Sequence, residues 1–207
     1  TDNFVTLADR FGEQGQVTDS FSLNVTARPR FGLTMQGGFN YALTNTDSCD
    51  IRAALPESDV ANPWCDQNTS LLRVTALGSY TVPKIDVLVA TTFRSEQGQQ
   101  LAANYTTGVA NTTLGRPFAG GSQTITVNLI EPGSLYGDRA NQLDLRVAKN
   151  LRFGRTRTNV GLDMFNILNS NPVLTYNQSF SPTTDTWQRP NSVLQPRYVK
   201  VSAQINF

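Results

Sequence analysis

The last ten residues, Tyr198 to Phe207, alternate without a fault. Val199, Val201, Ala203, Ile205 and Phe207 fall on one parity; Tyr198, Lys200, Ser202, Gln204 and Asn206 fall on the other. A period of two over this length is a β-strand with one apolar and one polar face. In a water-soluble sheet the apolar face meets a core. A strand that alternates this way and ends on an aromatic residue suits an outer-membrane β-barrel, where that face meets lipid.

The rest of the chain repeats the pattern in hairpins. After a weak first strand (Phe4 to Asp9) and a polar loop (Phe11 to Thr18), Phe21, Leu23, Val25 and Ala27 alternate with polar residues. The turn Arg28-Pro29-Arg30 leads into Phe31, Leu33, Met35, Gly37, Phe39, Tyr41 and Leu43. Proline removes a donor there that a ladder does not need. A second hairpin runs from Leu72 to Val82, turns at Pro83-Lys84, and returns through Ile85, Val87, Val89, Thr91 and Phe93. A third pairs Leu143–Phe153 with Val160–Phe165 across Gly154-Arg155. Between the hairpins lie long polar segments, 44–70, 97–138 and 168–192; the middle one holds a short strand near Ile125 to Ile130.

Seven firm strands and the weak first one give an all-β, antiparallel transmembrane barrel of about eight strands. It has short periplasmic turns and long extracellular loops, and residues 1–207 read as one barrel domain or as the C-terminal segment of a larger barrel. Lys149 lies on the outward parity, where a cation at mid-bilayer costs ~2–4 kcal/mol and one near the interface roughly 0–1. Its closeness to the turn at Gly154 makes it tolerable.

Composition fits this reading and excludes others. Only 16% of residues are charged and the net charge is +1, so no basic stripe for nucleic acid exists. No apolar run reaches the ~18 residues of a transmembrane helix. The chain contains no His, which removes Ser-His-Asp and Cys-His catalysis and most zinc sites; no metal or cofactor is expected. Thr1 follows neither an initiator Met nor a signal peptide, so the chain reads as a processed product or a fragment. Cys49 and Cys65 are spaced too widely for a redox Cys-x-x-Cys site. As a disulfide they close a loop of about 15 residues, worth ~3 kcal/mol in the chain-entropy model.

Several segments together resemble the C-terminal third of TonB-dependent outer-membrane receptors, in the branch with a carboxypeptidase-regulatory-like domain near the N-terminus. They are Glu131-Pro-Gly-Ser-Leu-Tyr-Gly-Asp-Arg139 running on to Lys149, Gly161-Leu-Asp-Met-Phe-Asn-Ile-Leu-Asn169, Trp187-Gln-Arg-Pro190, and Arg197 to Phe207. Val5 to Gln14 is similar to that branch too. The resemblance implies a bacterial outer-membrane location, contact with lipid, and nutrient uptake coupled to TonB through the rest of a receptor. Against the 22 strands of such transporters roughly two-thirds of the barrel is absent, and no plug domain or TonB box is present.

Arg73, Asp144, Arg146, Asp163 and Lys200 share the lumen parity. They read either as a polar path for substrate or as a self-neutralised, salt-bridged interior. Asp144 and Asp163 also raise a glycosidase-like carboxylate pair, although nothing in the sequence fixes their separation. Tyr41, Tyr80 and Phe93 near strand ends suit an interfacial girdle, and the loop residues Trp64 and Trp187 are candidate ligand contacts. Two other classes stay open. One is a small structural or interaction barrel in a larger assembly without transport. The other is a soluble β-sandwich, either a carbohydrate-binding module or a carboxylate-dependent hydrolase, whose apolar faces would turn toward each other.

Overall fold

The structure is a computed structural model that describes residues 6–29, 32–55, 63–118, 121–154 and 156–206. Seven strands form one antiparallel sheet: β1 (Gly15–Ala27), β2 (Leu33–Asp47), β3 (Asp66–Val82), β4 (Val87–Glu96), β7 (Ala140–Phe153), β8 (Thr156–Phe165) and β12 (Tyr198–Asn206), in that spatial order. They correspond to the seven firm strands of the sequence. A three-stranded sheet joins β5 (Asn104–Gly108), β6 (Thr124–Asn128) and β10 (Ser179–Phe180); a two-stranded one joins β9 (Val173–Tyr176) and β11 (Pro190–Val193). One short helix, α1 (Cys49–Ala54), follows β2. No helix among the described residues is long and apolar enough to cross a membrane.

Register carries the alternation of each strand across the whole sheet. One row runs Leu33, Tyr80, Val89, Val147, Leu162 and Val201, each paired with the next. Another runs Ala27, Met35, Gly78, Thr91, Leu145, Met164 and Val199. Directly paired residues share a face, so the seven apolar sides merge into one. That face is uncovered: Phe21, Leu23, Met35, Leu162, Val199 and Ile205 are all exposed, and Val201 is 73% exposed. Buried apolar residues among the described ones are only Leu101, Ala103 and Ala148. The chain's accessible surface is 14179 Å². A compact soluble monomer of 22.7 kDa exposes ~9,500 Å².

Several expectations need correction. Closure into a barrel is absent among the described residues: β1 pairs only with β2, and β12 only with β8. The expected first strand, Phe4 to Asp9, yields a 3-10 turn at Ala8–Arg10, because Arg10 and Phe11 donate backward to the Leu7 and Ala8 carbonyls; its residues up to Val5 lie outside the described ones. Strand β1 starts at Gly15, inside the expected loop. Ile85 sits in the turn and not in β4, since Val82 pairs with Val87 around Pro83–Asp86. Lys84 and Asp86 take positive φ there, +73° and +48°, which closes the four-residue connection. In the tighter β7–β8 connection Gly154 takes φ +61° beside the Phe153–Thr156 pair, a conformation that costs glycine little. Arg155, Arg30 and Phe31 lie outside the described residues.

The long segments are also more ordered than their polarity suggests. Strands β2 and β3 extend through Asp47 and Asp66, which shortens the first loop to the disulfide-closed stretch between them. Cys49 and Cys65 are bonded, with Cα atoms 4.7 Å apart. Strand β6 matches the expected short strand, and β5, β9, β10 and β11 are strands that the alternation does not announce.

The motif Asp163-Met-Phe-Asn-Ile-Leu-Asn169 explains how β12 finds β8 after an excursion of some thirty residues. Asn166 and Asn169 both adopt φ +49° and turn the chain out of the sheet. Asn166 is 2% exposed. Its Nδ2 donates to the Ser170 and Gln195 carbonyls, each at 2.8 Å, and its Oδ1 accepts from Ser170 N at 3.1 Å. Asn169 Oδ1 accepts from Arg197 N at 3.1 Å. The departing chain is thereby tied to the residues that immediately precede β12.

Candidate functional site

All five charged residues predicted on the lumen parity lie on the polar face. Register links Arg73 to Glu96, Arg146 to Asp163, and Asp163 to Lys200. Arg146 Nη1 donates to both Asp163 carboxylate oxygens, at 2.7 and 2.9 Å, and its Nη2 to Asn159 Oδ1 at 3.2 Å. Asn159 continues the chain to Asn150 at 2.7 Å. Arg73 pairs with Glu96 at 3.3 Å, both half-exposed. Asp144 accepts from the Gln142 side chain at 2.9 and 3.0 Å and from Asn166 N at 2.9 Å.

The two carboxylates do not form a facing pair. Asp163 stands opposite Arg146, and Asp144 anchors the start of the Asn166 turn. Each is held by its own donors: Asp163 by the Arg146 guanidinium, and Asp144 by the neutral Gln142 amide and the Asn166 backbone N–H. Among the described residues no group of three His, Cys, Asp or Glu side chains is placed to hold a metal.

Removal of Arg146 tests how far this pairing holds the sheet. Asp163 is 9% exposed, while the Arg146 side chain is 38% exposed and Lys200 stands opposite. The loss from Arg146→Met should therefore fall below the ~3–5 kcal/mol of a fully buried pair, at about 1–3 kcal/mol. The double variant Arg146→Met/Asp163→Leu should recover most of it. Urea midpoints in micelles of one detergent measure both.

At the opposite end from the short turns, the long segments pack on one another through side chains that grip backbone. Trp187 Nε1 donates to the Ala102 carbonyl at 2.9 Å, and Trp64 Nε1 to that of Asn128 at 3.3 Å. Gln178 reaches the Gln100 carbonyl at 3.0 Å, and Gln99 Oε1 accepts from Tyr176 N at 2.9 Å. Leu101 and Ala103 are buried in the middle of this layer. Rings of Tyr105, Phe180 and Trp187 stack edge-on in series, with centroids 6.4 and 6.0 Å apart.

Trp64 and Trp187, expected as exposed contact residues, are thus half-buried, with their indole donors used to hold loops. Sequence reasoning missed Gln97 and Tyr136. Where β4 leaves β3, Gln97 Oε1 accepts from Leu72 N at 2.9 Å and Tyr136 Oη accepts from Ser70 N at 3.0 Å. These side chains finish the β3 edge that has lost its neighbour. Gly133 (φ +85°) lies so close to the Asn68 carbonyl that any Cβ there would collide with it. Beside this seam an open recess of about 320 Å³ is lined by Thr44, Leu71, Gln97, Gln100 and Tyr136 among others.

No protein-family model matches the chain, and neither a curated protein nor a solved structure shows significant similarity to it.

Proposed function

We propose that the chain is part of the wall and outer mouth of a bacterial outer-membrane β-barrel, of the TonB-dependent receptor type that its motifs resemble. In that role it contributes to nutrient uptake. The observation that carries the reading is the single apolar face, continuous over seven strands and uncovered, set against a polar opposite face that carries the ion pairs Arg146–Asp163 and Arg73–Glu96. From Leu33 to Leu43 on β2 the outward positions span ten residue steps, about 34 Å at ~3.4 Å per residue. At a strand tilt of ~40° that is about 26 Å of height, the thickness of the apolar band of such barrels. Membrane lipid is then the partner of the apolar face. The packed loops at the far end form the surface that a nutrient meets, and TonB acts through other parts of the receptor. A soluble sandwich would need a second layer over Phe21, Met35, Leu162 and Val201, and these side chains are open.

Detergent dependence tests this. The chain should need detergent or lipid to stay dispersed, and should migrate on gels in a heat-modifiable way once folded. A monodisperse, folded, detergent-free monomer would overturn the proposal.

A further inference from the structure

We infer that the two free edges of the wall, β1 and β12, are completed by a β segment with an odd number of strands, and neither by each other nor by a second copy of this chain. The inference rests on the membrane wall proposed above and adds a constraint on its partner.

The argument is one of direction. Strand β1 runs from the long-loop end to the short-turn end, because the connection that follows it to β2 spans only residues 28–32. Each neighbour in the seven-stranded order is antiparallel to the last. Six reversals bring β12 back to the direction of β1. The two edges therefore run the same way, and joining them would make a parallel pair. In hydrocarbon the outer N–H and C=O groups of both edges need partners, because no water reaches them. Bacterial single-chain barrels meet that need with antiparallel neighbours and an even strand count. The strand beside β12 and the strand beside β1 must both run from the short-turn end to the long-loop end. A segment that begins and ends in the same direction has an odd number of strands.

A second copy fails the same test. Placed in the same orientation, its β1 meets β12 in parallel. Inverted, it meets β12 antiparallel but puts long loops on both sides of the membrane. The chemistry of the fitting segment follows from the edges themselves. It presents apolar residues level with Phe21, Leu23 and Val25, and polar ones level with Ser20, Ser22 and Asn24, since paired residues share a face.

The test uses the full chain folded into vesicles of phosphatidylethanolamine and phosphatidylglycerol. Ser20→Cys, Ser22→Cys or Asn24→Cys on β1 is combined with Gln204→Cys on β12, oxidised mildly, and run without reductant. The expected result is no bridge within or between chains. An intramolecular bridge in most molecules means self-closure, and a bridged dimer means a second copy; either overturns the inference. A fluorophore on Leu23→Cys, read with brominated lipid, separates this from failure of the membrane wall. Absence of quenching there rejects the wall itself, whatever the edges do.

Discussion

Leu162→Arg is expected to lower stability in a bilayer by up to about 2–4 kcal/mol, the cost of a cation facing lipid, which is largest at the midplane. That corresponds to a loss of roughly thirty- to several-hundred-fold in the folding equilibrium. Leu162 lies on the apolar face, between Val147 and Val201 in register. It lies six residues beyond Thr156, roughly 20 Å along the strand at ~3.4 Å per residue. It is one same-face step further from the short turn than Lys149, whose partner in register is Val160. Gln204→Arg, on the polar face of β12, should stay within about 0.5 kcal/mol. Urea titrations in lipid vesicles compare the two. Equal effects on the two faces would mean that lipid does not lie against Leu162.

The second large effect is expected at the buried residue that turns the chain out of β8. Asn166→Ala removes both donors to the Ser170 and Gln195 carbonyls and the acceptor for Ser170 N. Each buried polar group left without a partner costs about 1–3 kcal/mol. The Cβ that crowds the following carbonyl oxygen at φ +49° is kept in alanine, while the polar side chain that lets asparagine tolerate this conformation is lost. The total should be at least about 3 kcal/mol. Asn166→Gly removes the same hydrogen bonds but also the crowded Cβ, so it should be milder than Asn166→Ala by about 1 kcal/mol. Denaturation in micelles gives both values. The effect should concentrate on β12, whose approach to β8 depends on the Gln195 and Arg197 ties.

The strands were legible because their information is local and strong. Alternation from Phe21 to Ala27, or from Leu143 to Leu151, defines element and face at once, and neighbouring hairpins inherit a register from short connections. Lys149 shows the limit of that logic working well: it falls on the apolar face by register with Val87 and Val160, as parity required. Closure was not legible, since edge pairing depends on strand direction summed over the whole sheet and on segments that no local pattern describes. The order of the long segments was not legible for a different reason. It comes from amide and indole side chains gripping distant carbonyls, as Gln178 does at Gln100 and Trp187 at Ala102. Such contacts leave no periodicity. The polar charges were placed on the right face, but only coordinates could show that Asp163 belongs to Arg146 and Asp144 to the Asn166 turn. The Asp-Met-Phe-Asn motif stood out as a resemblance before its work was visible, which is the double left-handed exit from β8.

The two tryptophans are the chain's full complement of indoles, and both are spent on the loop layer rather than on the wall. Intrinsic fluorescence is therefore a regional probe. On heating or denaturant titration, emission follows the release of Trp64 from Asn128 and Trp187 from Ala102, while far-ultraviolet dichroism follows the seven strands. Any separation between the two curves measures how independently the mouth comes apart from the sheet beneath it, with no label added.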